Sequence, residues 1–323
     1  HRVDRRQRQM CIRDRKWPVL LNCKEDFPVI HQDDIIVDAI FGIGLNRPVD
    51  DWVKGLFQQF RKSRAFTLSI DMPSGLFADK VPLNENDVVW ANHTLSFASP
   101  KLVFFLPDTA KYTQQWEILD IGLDQEFLYT TQTEVELISK FEVLPLYKPR
   151  QKFDHKGTYG HALLIGGSQG KIGSIVLASK AVMSSGAGLV TAYVPKCGDV
   201  IMQTAFPEAM VITDKNDRVI SDINFDLQPT VIGIGVGLGT DKLTSSAYEA
   251  FLNTNNAPLA IDADGLNLLA KKKALLKLLK SKTILTPHPK ELERLIGEWK
   301  DDFDKLKKVK AFSKKYNVIV VVK

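Results

Sequence analysis

Two aspartates in the first half of the chain lie where apolar, strand-like runs end. Asp38 lies within the run DIIVDAIFG, and Asp71 comes directly after the run AFTLSI, with Ser74 three residues further on. A carboxylate in an apolar strand is unfavourable unless hydrogen-bond donors or a cation compensate its charge. Each aspartate could accept backbone hydrogen bonds in a turn, or act as an acid, a base or a cation ligand. Because the two end neighbouring strands, we favour the chemical role.

The second half of the chain repeats this arrangement of polar residues after apolar runs. Asp262 and Asp264 follow the run APLAI, the glycine-rich stretch GVGLGTD follows TVIGI, and His288 lies between two prolines after TIL. Ligands of open α/β sheets bind beyond the carboxyl ends of the strands. His288 is therefore a rigid turn residue or a substrate contact, and we favour the contact. The glycine stretch alone is weak evidence, because such loops often only turn the chain.

A further glycine-rich loop follows the run HALLI, in the stretch HALLIGGSQGKIG. Its spacing is not G-x-G-x-x-G, and no acidic residue ends the next run, LVTAYVP, where it could hold a ribose. The stretch therefore predicts a strand, a loop and a helix, but no dinucleotide-binding fingerprint.

Alternating strand and helix patterns position these residues. Strand-like runs are separated by segments such as DWVKGLFQQFRKS, in which apolar residues recur at helical spacing. This β-α-β rhythm predicts parallel sheets. The rhythm breaks between about residues 124 and 152, where EVLPLYKPRQKFD is polar and contains prolines. We therefore predict an α/β fold with two doubly wound domains.

Length and composition are those of an ordinary globular protein. The 323 residues exceed one average domain, with 44% hydrophobic and 25% charged residues. The net charge of +5 is mild, and its lysine clusters lack interleaved aromatic residues, so we predict no nucleic-acid partner. The three cysteines are too far apart for a zinc site or a disulfide framework, which indicates a cytoplasmic protein. No run approaches the roughly 20 apolar residues of a membrane span.

Both ends of the chain are unusual. The opening HRVDRRQRQMCIRDR has no apolar periodicity, and a basic nucleic-acid arm is one interpretation. However, MCIRDR resembles a translated sequencing adaptor, so we predict that residues 1–15 are a non-native tail. The chain stops directly after residues 318–322, which predict a buried strand. We therefore expect a fragment of a longer reading frame, with domains over 16–140 and 141–323.

The motifs DAIFGIGLNRPV, SIDMPSGL and NHTLSFASPKLVFFLP resemble the second half of the NAD(P)H-hydrate epimerase domain, over about residues 16–123. The resemblance implies a partial Rossmann-like domain that helps to restore damaged nicotinamide cofactors. It implies that Asp38 and Ser74 bind a potassium ion, and that Asp71 contacts the hydrated nucleotide and transfers a proton. The other implied nucleotide contacts are Gly42, Ile43, Gly44, Leu45, Asn46, Arg47 and Pro48. The family's Asn- and Gly-rich phosphate loop would precede residue 16, so one potassium ligand and much of the nucleotide site would be missing.

The later motifs, in the order HKGTYGHALLIGGS, SGAGLVT, GVGLGTD, DADGLNLL, LTPHPKELERLIG and VVVK, resemble ADP-dependent NAD(P)H-hydrate dehydratase, a ribokinase-like fold. The resemblance implies that the hydrated nucleotide contacts Gly173, Ser174, Gly237 and His288, and that ADP contacts Lys323. Ser174 departs from the small residue, commonly Ala, of the family, and a Val replaces its usual Pro before Gly237. The family's Gly-Thr-Gly-Asp signature, which carries the catalytic Asp, would follow residue 323. An epimerase domain followed by this dehydratase is the layout of bifunctional repair enzymes.

The chemistry implied by the resemblance is repair of hydrated NADH and NADPH. ADP, with Mg²⁺, would phosphorylate the ring hydroxyl of the S form, and the ring nitrogen would then expel the phosphate. The epimerase would convert the R form into the S form. We expect a homo-oligomer without a membrane partner, and we expect the 323-residue chain by itself to be inactive or nearly so. Two alternatives stay open: a ribokinase-superfamily kinase of a vitamin precursor, and a non-catalytic nucleotide-binding protein.

Overall fold

A computed structural model describes residue 21 and residues 23–323. This part of the chain forms two compact units, one that ends at Leu137 and one over Ile138–Lys323. The tail predicted over residues 1–15 lies outside the described residues. Within the described range, no helix combines the length and the apolar character needed to cross a bilayer.

The N-terminal unit is built on a sheet of four parallel strands that lie side by side in chain order. The strands are β1 Ile35–Asp38, β2 Phe66–Ile70, β3 Ala91–Phe97 and β4 Thr113–Leu119. The helices are α1 Asp51–Ser63, α2 Pro107–Ala110 and α3 Gln125–Thr130. Helix α1 buries Val53, Leu56 and Phe57, which recur at helical spacing and form one face. Because the strands are parallel, their carboxyl ends lie at one edge, where the loops with the candidate aspartates begin.

The C-terminal unit contains a sheet of seven parallel strands in the order β11-β10-β9-β8-β5-β6-β7. The strands are β5 His161–Ile165, β6 Leu189–Val194, β7 Met210–Thr213, β8 Val231–Ile234, β9 Leu259–Ile261, β10 Ile284–Leu285 and β11 Ile319–Val320. The helices are α4 Lys140–Val143, α5 Ile172–Ser184, α6 Asp199–Ala205, α7 Lys242–Thr254, α8 Asp264–Lys271, α9 Pro289–Ile296 and α10 Asp302–Tyr316. Short 3₁₀ turns of the two units cover Lys24–Asp26, Glu85–Asp87, Leu102–Phe104, Leu144–Leu146, Lys156–Tyr159, Lys196–Gly198 and Lys273–Leu278.

Both faces of this seven-stranded sheet are covered by helices. Leu163 and Ile165 of β5 belong to a core that includes Tyr248 of α7. Leu164 points to the opposite face, where it joins a core with Ile175 of α5. The alternation follows from the two-residue period of a strand. The predicted fold class, α/β with two parallel-sheet units, is confirmed, and helices on both faces make this second sheet doubly wound.

The structure differs from the sequence-based prediction at the edges of the sheets. Strands β4 and β7 were not predicted, and each is the last strand of its sheet. The strand predicted over residues 318–322 is present as β11, but it covers two residues only, and the predicted burial is wrong for Ile319 and Val321, which are 46% and 49% exposed. Edge strands have a partner on one side only, so their burial depends on what surrounds them and not on their composition.

Candidate functional site

At the carboxyl end of β1, Asp38 and Ser74 form one hydrogen-bonded group. The Asp38 side chain is buried, and its Oδ1 accepts a hydrogen bond from Ser74 Oγ over 2.5 Å. Its Oδ2 accepts from Ser69 Oγ over 2.7 Å and from the backbone N–H of Ser74 over 2.8 Å. Burial raises the pKa of Asp38, and the hydrogen bonds from Ser74 and Ser69 oppose that rise. Donors thus surround the carboxylate, as a buried charge requires.

Oxygen atoms suited to a monovalent cation meet around Ser74. They are the Asp38 carboxylate, Ser74 Oγ and the carbonyl oxygen of Phe41, which lies 3.3 Å from Ser74 Oγ. Hard cations prefer such oxygen ligands, and one carboxylate among neutral oxygens matches a single positive charge. The described residues contain no group of three or more His, Cys, Asp and Glu side chains placed to hold a metal ion. The oxygen types around Asp38 and Ser74 match those of the potassium site that the resemblance implies, while both Asp38 oxygens accept hydrogen bonds from Ser69 and Ser74 in this structure.

Asp71 is joined to the loop over residues 42–48. Its Oδ2 accepts a hydrogen bond from the backbone N–H of Ile43 over 3.0 Å. A Cβ atom on Gly42 would lie 2.9 Å from the same oxygen, so a larger residue here would displace the Asp71 carboxylate. The backbone N–H of Phe41 donates to Ser74 Oγ over 2.8 Å, which ties the start of the loop to Asp38. The hydrogen bonds therefore bring Asp38, Asp71 and Ser74 together with the start of the loop over residues 42–48. Most of that loop is open to solvent.

Asp71 has an unusual backbone conformation. Its φ angle is +69°, in the left-handed region that residues other than glycine seldom adopt. Such strained residues are concentrated at functional sites. Sequence reasoning missed one neighbour of Asp71, the Lys101 ammonium, which lies 3.6 Å from Asp71 Oδ1. Lys101 belongs to the quoted motif NHTLSFASPKLVFFLP, but nothing in that motif indicates which side chain it meets.

In the C-terminal unit, the glycine-rich loops lie where the strand order reverses. From β5 the sheet continues to β6 on one side and to β8 on the other, and ligands of open α/β sheets bind at such a switch point. The loops after β5 and β8 touch, because Gly167 N–H donates to the Val236 carbonyl over 2.9 Å. A Cβ atom on Gly166 would lie 2.3 Å from that carbonyl oxygen. The first glycines of the loop after β5 thus let two backbones approach.

Gly237 lies against the residues predicted with it. Its φ angle is +62°, and a Cβ atom there would lie 2.6 Å from the Lys171 carbonyl and 3.2 Å from Ser174 Cβ. Gly173 and Ser174 are in the first turn of α5 and are exposed. The first turn of a helix has backbone N–H groups without partners inside the helix, which favours contacts with anions and polar ligand atoms.

Asp264 links these loops, a role that sequence reasoning did not assign to it. Its Oδ2 accepts a hydrogen bond from the backbone N–H of Gly239 over 2.9 Å and lies 3.4 Å from Lys171 Nζ. The preceding residue, Ala263, has a φ angle of +51°. Asp264 also lines a cavity of about 560 Å³. The other lining residues are Thr240, Asn267, Ala270, Lys271 and Arg294.

His288 begins helix α9, and its imidazole ring is held in one orientation. Its Nδ1 accepts a hydrogen bond from the backbone N–H of Lys290 over 3.2 Å. In the neutral ring the proton therefore lies on Nε2, which is 3.3 Å from Glu291 Oε1. The side chain is half exposed, so Nε2–H can also face a ligand.

Lys323 lies next to the turn that contains His288. Its backbone N–H donates to the Pro287 carbonyl over 3.3 Å. Its ammonium donates to both carboxylate oxygens of Asp262, over 3.1 and 3.0 Å. The predicted residues of the C-terminal unit thus lie at the carboxyl-end edge of its sheet, in two groups. Gly173, Ser174 and Gly237 lie after β5 and β8, and His288 and Lys323 lie after β10 and β11.

Comparison with known proteins gives two family matches along the chain. Residues 162–323 match the family model described as NAD(P)H-hydrate dehydratase. Residues 9–103 match the model described as YjeF-related protein N-terminus. The two matches occur in the order predicted from the motifs.

Curated relatives carry both parts in one chain. Bifunctional NAD(P)H-hydrate repair enzymes of Moorella thermoacetica and Coxiella burnetii are each 31% identical to this chain, over 300 and 303 residues. The matches cover 90% and 92% of this chain, and 56% and 59% of those relatives. The enzyme of Escherichia coli is 30% identical and is matched over 55% of its length. The chain therefore spans a little over half the length of the curated relatives that it matches.

Solved structures also resemble the chain. A hypothetical protein from Streptococcus mutans is 29% identical with a TM-score of 0.48, covering 58% of this chain and 68% of that one. An ADP/ATP-dependent NAD(P)H-hydrate dehydratase from Bacillus subtilis, co-crystallized with ATP/Mg²⁺, is 26% identical with a TM-score of 0.47. That match covers 59% of this chain and 68% of the other.

Proposed function

Because the chain belongs to the NAD(P)H-hydrate dehydratase family, we propose that it acts in the repair of hydrated NADH and NADPH. The C-terminal unit would bind the S hydrate and ADP for dehydration, and the N-terminal unit would interconvert the R and S hydrates. One observation carries this proposal. Gly173, Ser174 and Gly237, which the resemblance assigns to the hydrate site, lie in the family-matched unit at the point where the strand order reverses. His288 follows β10 at the same edge of the sheet.

In the proposed dehydration, ADP donates a phosphoryl group to the hydroxyl of the hydrated ring. The ring nitrogen then expels inorganic phosphate, and the adjacent ring carbon loses a proton to form the ring double bond, so the products are NAD(P)H, AMP, phosphate and a proton. Gly237 lets the loop after β8 lie directly against the start of α5, because a Cβ atom there would lie 2.6 Å from the Lys171 carbonyl oxygen. His288 offers its Nε2–H to a ligand oxygen, in an orientation that the Nδ1 hydrogen bond maintains. Mg²⁺ would neutralise phosphate charge during this transfer.

Lys323 is proposed to bind a phosphate of ADP. Its ammonium is paired with Asp262 in the structure, so a phosphate would compete with that carboxylate for the same three donors. The backbone N–H of Gly173 and the hydroxyl of Ser174 are proposed to contact the hydrated nucleotide at the start of α5, since the Ser174 N–H already donates to the Lys171 carbonyl over 3.2 Å.

In the proposed epimerisation, Asp71 takes a proton from the hydrate and returns one. The exposed loop over residues 42–48 contacts the nucleotide. Asp38, Ser74 and the Phe41 carbonyl are proposed to hold a potassium ion, which would supply positive charge next to the start of that loop. The hydrogen bonds from Phe41 and Ile43 to Ser74 and Asp71 support this proposal, because they connect the cation ligands to the loop.

The proposal is tested by titrating the chain with the purified S and R hydrates of NADH in an isothermal titration calorimeter. We expect saturable binding of the S hydrate, and its loss in the variant Gly237→Val. A chain that binds neither hydrate would refute the proposed function. Binding of a vitamin-precursor alcohol without either hydrate would support the kinase alternative.

A further inference from the structure

Lys101 is a buried cation in the N-terminal unit. Its side chain is only 10% exposed. Its ammonium donates to the carbonyl oxygens of Phe97 and Ser99, over 2.7 and 2.9 Å. Burial of a charged amine is unfavourable unless its donors find partners, so these two carbonyls hold the ammonium in one position.

A strained turn creates this binding place for Lys101. Ala98, between the two residues whose carbonyls accept from Lys101, has a φ angle of +61°, which is unfavourable for a residue with a Cβ atom. Ser99 N–H donates to the Phe97 carbonyl over 2.7 Å, and Ala98 N–H donates to the Leu119 carbonyl over 3.0 Å. The turn thereby directs two carbonyls to the same ammonium. Strain of this kind persists only where the surroundings maintain it, and it is common at functional sites.

The ammonium faces one oxygen of Asp71, while the other oxygen is bound to the loop. Lys101 Nζ lies 3.6 Å from Asp71 Oδ1, which is an ion-pair distance and longer than a hydrogen bond. Asp71 Oδ2 accepts from Ile43 N–H over 3.0 Å. The Asp71 backbone N–H donates to the Leu95 carbonyl over 2.7 Å. The backbone of Asp71 is therefore already held by the sheet, and Lys101 can affect only the orientation of the Asp71 carboxylate.

We propose that Lys101 is a positioning residue for Asp71: its ammonium, fixed by the Phe97 and Ser99 carbonyls, holds the carboxylate so that Oδ2 stays bound to Ile43 and Oδ1 faces a fixed positive charge. The part that Asp71 plays in proton transfer rests on the proposed function. In that transfer the proton moves only between the ligand and Asp71. Lys101 supplies charge and geometry without exchanging a proton.

The backbone amide of Ile43 reports on this arrangement without any need for turnover. In the variant Lys101→Met the carboxylate is free to rotate away. We expect the Ile43 amide signal in ¹⁵N-labelled protein to move upfield, and its hydrogen exchange to quicken about tenfold or more, as for loss of a hydrogen bond to a charged acceptor. Lys101→Arg keeps the charge and should keep the wild-type signal. Lys111→Met, which removes an exposed lysine paired with Glu85, is the matched control and should leave Ile43 unchanged.

The variant Lys101→Gln tests whether the charge of Lys101 is needed, in a side chain that stays polar. Its amide can donate hydrogen bonds but carries no charge, so we expect the Ile43 amide to change as it does in Lys101→Met. An unchanged Ile43 amide in a folded Met or Gln variant would overturn the proposal. If neither variant folds, Lys101 is only a structural residue and the proposal is also overturned. Failure of the proposed function would show separately, as wild-type chain that binds no hydrate while Ile43 still responds to Lys101.

Discussion

Replacement of Ser74 with alanine tests the hydrogen-bonded group at the end of β1. The Ser74 hydroxyl has two partners: it donates to Asp38 Oδ1 over 2.5 Å and accepts from Phe41 N–H over 2.8 Å. Ser74 is fully buried, so water cannot replace the hydroxyl without a rearrangement. Asp38 keeps its hydrogen bonds at Oδ2, because these come from Ser69 and from the Ser74 backbone.

The expected effect follows from the two groups that lose a partner. A buried donor or acceptor left without a partner costs about 1–3 kcal/mol, so we expect the free energy of unfolding of the N-terminal unit to fall by about 2–6 kcal/mol. Removal of one oxygen atom leaves little empty space, so a cavity contributes little to this loss.

The measurement is urea unfolding followed by tryptophan fluorescence, since Trp52, Trp90 and Trp116 lie in this unit. Ser96→Ala is the matched control. Ser96 is also fully buried in the same sheet, but its hydroxyl has no hydrogen-bond partner. We expect that variant to be neutral or slightly stabilised. The reasoning would be refuted by a Ser74→Ala variant that is destabilised no more than Ser96→Ala.

Three further predictions concern stability. Gly42→Ala should lower the free energy of unfolding, measured in urea, by about 1–3 kcal/mol, because its Cβ would lie 2.9 Å from a carboxylate oxygen. Gly44→Ala has open space around the new Cβ and should change the free energy of unfolding by less than about 0.5 kcal/mol. Gly237→Ala should lower the free energy of unfolding by at least about 2 kcal/mol in the same assay, because Gly237 has a positive φ angle and a backbone oxygen close to the new Cβ. Gly173→Ala, at an exposed helical position, should raise the free energy of unfolding by up to about 1 kcal/mol. Equal effects of the two substitutions would contradict this reasoning. Burial acts to raise the pKa of Asp214, but backbone hydrogen bonds to its carboxylate prevail and lower that pKa below 3.8. Asp214 therefore stabilises the folded protein above pH 3.8, and this stabilisation is lost as the pH falls through the folded-state pKa. The stability difference between wild type and Asp214→Asn should therefore shrink in acid, as thermal melts at successive pH values can measure, and a constant difference would contradict the assignment.

Local patterns in the sequence predicted the order of the elements and the places of the candidate residues. The helix α1 was predicted because its apolar residues repeat at helical spacing, and its bounds match the segment DWVKGLFQQFRKS. Asp38 and Asp71 were predicted at strand ends, and the structure places them at the end of β1 and directly after β2. Such features depend on neighbours within a few residues, so the sequence alone is sufficient to find them.

The edge strands and the partners of the charged groups required the tertiary structure. Strand β4 is polar and half exposed, so its composition alone does not separate it from a loop. Lys101 meets Asp71 across thirty residues of chain, and Asp264 meets the loop after β8, because the sheet brings their elements together. Periodic patterns in the sequence do not predict such contacts between distant residues.

The glycine-rich loop after β5 shows this division most clearly. The sequence excluded a dinucleotide fingerprint by the glycine spacing and by the lack of an acidic residue at the end of the next strand, but it did not show what the glycines do. In the structure Gly166 and Gly167 lie against the Val236 carbonyl, and Gly173 and Ser174 are in the first turn of α5 beside Gly237. The sequence by itself determined that a strand ends there and a helix begins. Only the pairing of β5 with β8 decided which glycines pack against backbone and which face the candidate ligand site, because that depends on the distance between two loops far apart in the chain.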